Sequence, residues 1–274
     1  MYKTNIKIKL LSPLLHFGDD RLGTMQVLRT QKFLINNEVL DIPVFSGNAL
    51  RGILRRLIMD DFLKRIDVYD EGISAKLYYM LYSGGALTGG SRYEEVGNKQ
   101  IMRKKCPPLS LLGTAINDQI LQGKMKVSIM KPLCLELNDY NLEQTDISIY
   151  DLLEDVFYTR RDDLKTKGDD LINDETKHKN PVQMKYEMQC LATGTQLVGN
   201  ISLEFENKVE TSCLIAMLDL LKNKPFIGGK SATGHGEISL KYDKDISSDI
   251  YYNYLEDNKD SIVEWLRNTE KELK

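Results

Sequence analysis

The order of the periodic segments restricts the fold of this chain more than any other feature of its sequence. Residues 5–10 alternate apolar and basic side chains, a period of two that is typical of a half-buried strand. After Ser46, a residue type that caps helices, apolar side chains recur every three or four residues and predict a helix. Both patterns return later, and the full order is a strand at 5–10, a helix from Ser46, strands at 124–129 and 196–206, a helix at 211–221 and a strand at 236–242.

This order predicts an α+β fold with a ferredoxin-like or RRM-type βαββαβ core, in which an antiparallel sheet carries two helices on one face. The 274 residues exceed such a core, so we expect one domain, residues 1–274, with long insertions. A helical and basic insertion is expected at about 73–122. The polar residues at about 138–185 predict a mobile, thumb-like arm. Apolar residues at helical spacing near Trp265 predict an appended C-terminal helix.

Several connecting segments are also assigned from their composition. Two short apolar runs, Val27–Leu34 and Val39–Val44, predict a hairpin. Residues 12–23 are rich in glycine and aspartate and predict a loop, and residues 83–105 predict a glycine-rich and then basic loop. A helical pattern resumes over 109–122.

Composition places the chain among folded, soluble proteins. Apolar residues make up 42% and charged residues 28%. The sequence contains no run of about 18 apolar residues, so we expect neither a membrane span nor a secretory segment. The four cysteines are widely separated, so we expect reduced thiols and a cytoplasmic location. The net charge of -3 is unevenly divided: residues 1–135 carry 20 Lys and Arg against 12 Asp and Glu, and the remainder is acidic.

The first candidate site is the start of the predicted helix. Arg51 and Arg55 fall beside each other on the flank of its apolar stripe, near the turns where free N–H groups and the helix dipole favour an anion. A phosphate would fit there. The alternative is that these arginines are solvated or pair with Asp60 and Asp61.

The second candidate site is the glycine-rich loop at 226–236. Its N–H groups can converge on a phosphate while Lys230 adds positive charge. The G-x-x-x-x-G-K-[ST] order of a P-loop is absent, which disfavours nucleotide hydrolysis. A plain glycine turn is the alternative, and His235 is interpreted as structural or RNA-contacting.

Two acids form a third candidate. Asp19 and Asp20, in the loop after the first strand, have the chemistry to bind a divalent metal or to position a water molecule, although no third carboxylate stands at ligand spacing. The alternative is that both are solvated turn residues.

The densest basic stretch of the sequence is Arg103–Lys105. We expect it to be mobile, because glycines lie nearby in the sequence, and its charge would allow it to follow a phosphate backbone.

Three segments resemble the RAMP superfamily of CRISPR-associated proteins. Residues 45–56 resemble its G-S-S-L-K/R-G-x-L-R helix, residues 227–236 its C-terminal glycine-rich loop, and residues 186–195 the strand entry after its thumb. With one ferredoxin-like core and a long insertion, the chain resembles a Cas-seven-type backbone subunit. Residues 82–85 and 106–113 are most similar to the type IV version, and the type III backbone subunit comes second.

The resemblance implies a subunit that binds CRISPR guide RNA (crRNA) and stacks with copies of itself into a helical filament. Its further partners would be other effector-complex subunits and a target DNA or RNA strand, in antiviral and anti-plasmid defence. No catalytic residue, cofactor or metal is expected. The residues expected to bind RNA are Ser46, Gly47, Asn48, Arg51, Arg55, Arg103, Lys104, Lys105, Arg160, Arg161, Gly228, Gly229, Lys230, Ser231 and His235.

Two enzymatic alternatives remain open. In the first, a type III-like backbone subunit also cleaves target RNA through Asp19 or Asp20 with Mg²⁺ or Mn²⁺. In the second, the chain is a single RAMP RNA-processing endonuclease that uses a histidine, for which His16 is the candidate.

Overall fold

A computed structural model describes residues 1–87, 96–117, 119–161 and 183–273. In chain order the strands are β1 (Tyr2–Leu10), β2 (Phe17–Leu22), β3 (Met25–Leu28), β4 (Thr30–Ile35), β5 (Glu38–Pro43), β6 (Gly85–Leu87), β7 (Thr114–Asn117), β8 (Gln119–Leu121), β9 (Met125–Val127), β10 (Lys131–Pro132), β11 (Leu153–Arg161), β12 (Gln183–Leu191), β13 (Gln196–Leu203) and β14 (Ile238–Tyr242). The α-helices are α1 (Gly47–Arg65), α2 (Ala75–Tyr78), α3 (Val96–Lys105), α4 (Pro107–Leu112), α5 (Lys208–Asn223), α6 (Asp249–Asp257) and α7 (Lys259–Glu272). A π-helical turn covers Tyr79–Ser83, and 3₁₀ turns cover Leu135–Tyr140, Ile149–Leu152 and Ser231–Thr233.

The main sheet has β1 at its centre. This strand pairs antiparallel with β13 on one side and with β14 on the other, and β13 pairs in turn with β9 and β10. The crossover helices α1 and α5 contact each other. Two crossover helices and this strand order are those of a ferredoxin-like βαββαβ core, so the predicted α+β fold is confirmed.

Local sequence explains the core elements. The alternation predicted in β1 is confirmed, because Ile6, Ile8 and Leu10 are buried while Lys3, Asn5 and Lys9 at alternate positions are exposed. The predicted cap of α1 is present: the backbone N–H of Ala49 donates to Ser46 Oγ at 3.2 Å. These features fix one end of α1 against the sheet, and that end positions the site described below.

The insertion between α1 and β9 differs from the predictions. A helical stretch near 73–82 is confirmed by α2 and the π-helical turn. Residues 96–105 were predicted to be loop but form α3, because Arg103 is tied back to Ser110 and Gln122. The predicted helix at 109–122 is wrong beyond α4: Gly113 has a φ of +68°, and the chain then turns into β7 and β8.

The arm begins as a regular hairpin-like pair of strands. β11 and β12 pair antiparallel over their full lengths, and β12 continues into a sheet with β3 and β2. The predicted loop at 12–23 is therefore wrong where β2 forms, since its backbone pairs with β3. Of the arm predicted at about 138–185, residues 153–161 and 183–185 lie in β11 and β12, and residues 162–182 lie outside the described residues.

The remaining elements cover the core. β4 and β5 form the predicted hairpin, which turns at Asn36 and Asn37 with positive φ angles, although its first strand begins at Thr30. The predicted C-terminal helix is two helices, α6 and α7, whose Tyr251, Leu255, Ile262 and Leu266 are buried. In the described part of the chain, the helices are too short or too polar to cross a lipid bilayer.

Candidate nucleic-acid interface

A cleft of about 540 Å³ lies where α1 begins, and it joins segments that are far apart in the sequence. The segment between β1 and β2 forms one wall, the π-helical turn forms another, and the glycine-rich loop closes the end. The lining residues are Leu15, His16, Phe17, Phe45, Asn48, Ala49, Arg51, Gly52, Ile53, Arg55, Arg56, Tyr82, Ser83, Gly228 and Gly229. The two segments predicted to hold phosphate therefore meet in one cleft.

The three arginines of the cleft differ in their surroundings. Arg55 is only 7% exposed and donates to the carbonyl oxygens of Leu81 (3.0 Å), Leu112 (2.8 Å) and Gly113 (2.8 Å). The expectation that Arg55 lies on an accessible flank is thus wrong, because the insertion folds over it. Arg51 is half-buried and also donates to Leu112 O, whereas Arg56 is exposed.

The charged side chains that line the cleft are all basic. Among the described residues that line it, three are arginines and none is an acid. Burial, followed by the charge of Arg51, lowers the pKa of Arg55 to about 10, and burial lowers the pKa of Arg51 as well. Both guanidinium groups remain protonated at neutral pH and are held by carbonyl dipoles instead of carboxylates. Such a cleft attracts an anion.

His16 is a neutral member of the cleft. Its Nε2 accepts the backbone N–H of Ser46 at 3.2 Å, and its ring lies 4.6 Å from that of Phe45. Burial, followed by the charge of Arg29, lowers the pKa of His16 to about 4. Because Nε2 is occupied, His16 supplies no free base at that atom, and its other ring nitrogen carries the proton.

The glycines of the two motifs fall into two groups. A Cβ on Gly47 would lie 2.6 Å from Val127 O, and a Cβ on Gly228, which has a φ of +76°, would collide with Leu15 O. These two glycines permit close packing of the backbone. By contrast, a Cβ on Gly52 or Gly229 would meet no atom closer than 3.6 Å, although both residues line the cleft. Packing does not require glycine at these two positions.

The C-terminal part of the glycine-rich loop contacts the arm. His235 is 3% exposed; its Nδ1 lies 3.1 Å from Pro13 O, and its Nε2 is bound to the hydroxyl of Tyr158. The exposed Lys230 lies over the ring of Tyr158, at 5.2 Å, and that of Tyr186, at 5.6 Å. His235 is accordingly in a structural position, and Lys230 and Ser231 lie outside the cleft lining.

The loop amides are also partly used within the protein. The N–H of Gly229 donates to Leu15 O and that of Gly236 to Pro13 O, each at 2.9 Å. The predicted convergence of the loop amides on a phosphate is therefore wrong for these two groups. They instead hold the loop against the segment that follows β1.

Arg103, Lys104 and Lys105, also predicted to bind RNA, do not line the cleft. Arg103 donates to Ser110 and to Gln122 O, Lys104 is exposed on α3, and Lys105 is half-buried. This stretch, predicted to be loop, is helical. Arg160 and Arg161 end β11, and their side chains lie outside the described residues.

The two acids proposed for metal chemistry lie in β2. Asp19 is 96% exposed at its side chain and lies 3.7 Å from the guanidinium of Arg29, while the side chain of Asp20 is outside the described residues. No group of three His, Cys, Asp or Glu side chains with the arrangement of a metal site occurs among the residues that the structure describes.

Sequence reasoning missed one wall of the cleft. Tyr82 and Ser83, which form this wall, belong to the π-helical turn, and Phe17, the first residue of β2, was missed as well. A signal for the first wall was present, because the tyrosines at 78, 79 and 82 occupy the outer face of a helical pattern, where charged residues are usual.

Comparisons with known proteins agree with the architecture. No protein-family model matches the sequence, and no curated protein matches it. Among solved structures, a chain of a type IV-B CRISPR complex is similar, with 20% sequence identity and a TM-score of 0.65. The similarity covers 89% of this chain and 91% of that chain, so the two share a fold over nearly their whole lengths.

Proposed function

We propose that this protein is a subunit of a CRISPR effector complex and binds guide RNA in the arginine cleft. The observation that carries the proposal is the cleft itself. It unites the start of α1 with Gly228 and Gly229, and its described lining holds three arginines and no acid. A polyanion whose charges recur along a backbone suits such a surface.

The chemistry of the cleft favours RNA binding that does not depend on the base sequence. Guanidinium groups contact phosphate, which every nucleotide carries. Sequence specificity is then left to base pairing between the guide and its target.

The fold likeness supports the assignment to an effector complex, and to a type IV one in particular, since a chain of the same fold occurs in a type IV-B CRISPR complex. The RAMP-like segments point the same way. The basic surplus of residues 1–135 and the acidic surplus of the remainder suit head-to-tail contact between copies in a filament. We place its action in the cytoplasm, on a DNA or RNA target, as a binder without catalysis.

Arg56 offers the sharpest test of the cleft. Its side chain is exposed and makes none of the carbonyl contacts that bind Arg51 and Arg55, so its loss leaves the fold intact. We expect Arg56→Ala to weaken binding of single-stranded RNA about tenfold, or about 1.4 kcal/mol. The slope of log affinity against log salt should fall by about one.

Lys222→Ala is the matched control, because Lys222 is an exposed cation in the last turn of α5 and outside the cleft. It should leave the RNA affinity unchanged. If both substitutions lowered the RNA affinity equally, the binding would be due to general surface charge, and the proposal would be contradicted. Sequencing the RNA that copurifies from the native host tests the ligand itself: uniform guide RNAs are expected, and heterogeneous or absent RNA would contradict a guide-binding role.

A further inference from the structure

Three tyrosines form a ladder that leads out of the cleft. Tyr82 lines the cleft, and the ring of Tyr78 stacks on it with centroids 4.7 Å apart and planes inclined by 17°. The ring of Tyr79 meets Tyr78 edge-on at 5.9 Å. Tyr78 is 47% exposed and Tyr79 is 53% exposed. An aromatic surface thus continues from the wall of the cleft into solvent.

The ladder is held in place before any ligand arrives. The hydroxyl of Tyr82 donates to Asp60 of α1 at 2.7 Å, and burial together with this bond raises the pKa of Tyr82. Tyr78 lies four residues earlier, the spacing that brings side chains of one helical face together. The rings therefore bind a ligand at little cost in conformational entropy.

The position of the tyrosines is unusual for a structural role. In the same segment Leu77, Met80 and Leu81 are buried in the core, so Tyr78 and Tyr79 occupy the outward face. Charged side chains normally cover such a face, because an aromatic ring that stays exposed to water contributes little hydrophobic free energy to folding. The segment also contains a π-helical turn, a feature that occurs frequently at functional sites.

We propose that the tyrosine ladder is a stacking platform for unpaired bases of the strand whose phosphates lie in the arginine cleft. This inference rests on the proposed function and names its ligand more closely as single-stranded nucleic acid. Aromatic rings stack on the face of any base, so the platform keeps the sequence independence that the cleft requires. Each nucleotide would then place its phosphate in the cleft and its base on the tyrosines at the edge of the cleft.

The test compares oligouridine with an abasic strand of equal length and equal phosphate count. The wild type should bind oligouridine at least about fivefold more tightly than the abasic strand, since that is the smaller effect of one stacked base. In the double variant Tyr78→Leu and Tyr79→Leu this preference should fall below about twofold. Its affinity for the abasic strand should stay as in the wild type, because the cleft is untouched.

The control is Tyr150→Leu, a 70% exposed tyrosine outside the cleft lining, which should keep the full preference. A preference that survives in the double variant would place base stacking elsewhere and overturn the inference. A loss of abasic affinity in parallel would also overturn it, by showing that the rings only shape the cleft. Failure of the wild type to bind either strand would instead contradict the proposed function itself.

Discussion

Replacing Gly52 by alanine separates the stability of α1 from the use of its surface. Gly52 lies in the interior of the helix, where alanine is more favourable than glycine by about 1 kcal/mol. The added Cβ would contact only a guanidinium nitrogen of Arg56, at 3.6 Å, which is an ordinary van der Waals distance. No packing penalty is therefore subtracted from the gain in helix propensity.

We expect Gly52→Ala to raise the free energy of unfolding by about 1 kcal/mol and Tm by about 2 °C. The same methyl group projects into the cleft, where it keeps an RNA backbone from close approach. The affinity for single-stranded RNA should fall about tenfold. Urea unfolding and fluorescence anisotropy with labelled RNA measure the two effects on one preparation.

Asn268→Ala is the control for helix propensity alone, because Asn268 is exposed in α7 and outside the cleft lining. It should stabilise the protein by about 0.5 kcal/mol and leave RNA affinity unchanged. If Gly52→Ala stabilises the protein and binds RNA as tightly as the wild type, no strand passes over Gly52 and the reasoning is refuted. A destabilised Gly52→Ala variant would refute the account of the helix.

Three further outcomes follow from the geometry. Gly228→Ala should lower the free energy of unfolding by at least about 2 kcal/mol, measured by urea unfolding, because its φ of +76° and the contact with Leu15 O both oppose a Cβ; wild-type stability would contradict this. His16 has a folded-state pKa of about 4, below its ordinary value, so it contributes stability that is present above about pH 6.5 and is lost as the pH falls. Between pH 7 and 5.5 this loss should be about 1 kcal/mol, and His16→Gln should abolish that part of the pH dependence, whereas an unchanged profile would show His16 to be solvated. Finally, complementary RNA incubated with the assembled complex and Mg²⁺ or Mn²⁺ should stay intact, while regular cuts that Asp19→Ala or Asp20→Ala abolishes with binding retained would establish the nuclease alternative.

Much of the core followed from local sequence. The alternation in β1 and the cap at Ser46 depend on neighbours within a few residues, and the periods of two and 3.6 report which face of each element is buried. The strand order could be predicted because short, right-handed connections leave few ways to arrange βαββαβ. Local sequence patterns were also sufficient to identify α1 and the glycine-rich loop as candidate anion-binding sites.

The insertions were harder to predict, because distant contacts decide them. Arg103 stabilises α3 through Ser110 and Gln122, and β2 exists because β3 and then β12 pair beside it. Glycine content and charge alone indicate loops in such segments. Tertiary pairing overrides that tendency where the backbone finds partners.

The roles of individual site residues were decided only by the tertiary structure. Helical spacing in the sequence favoured Arg51 and Arg55 as the anion-binding residues and left Arg56 out, whereas the structure buries Arg55 and leaves Arg56 exposed. Arg55 is buried because carbonyls of Leu81 and Gly113, which are 26 and 58 residues away along the chain, close over it. Arg56 stays exposed at the cleft because nothing covers it in the described structure. The exposure of each arginine depends on which distant backbone segment packs against it. Helical periodicity describes only neighbours along the helix and therefore cannot predict that contact.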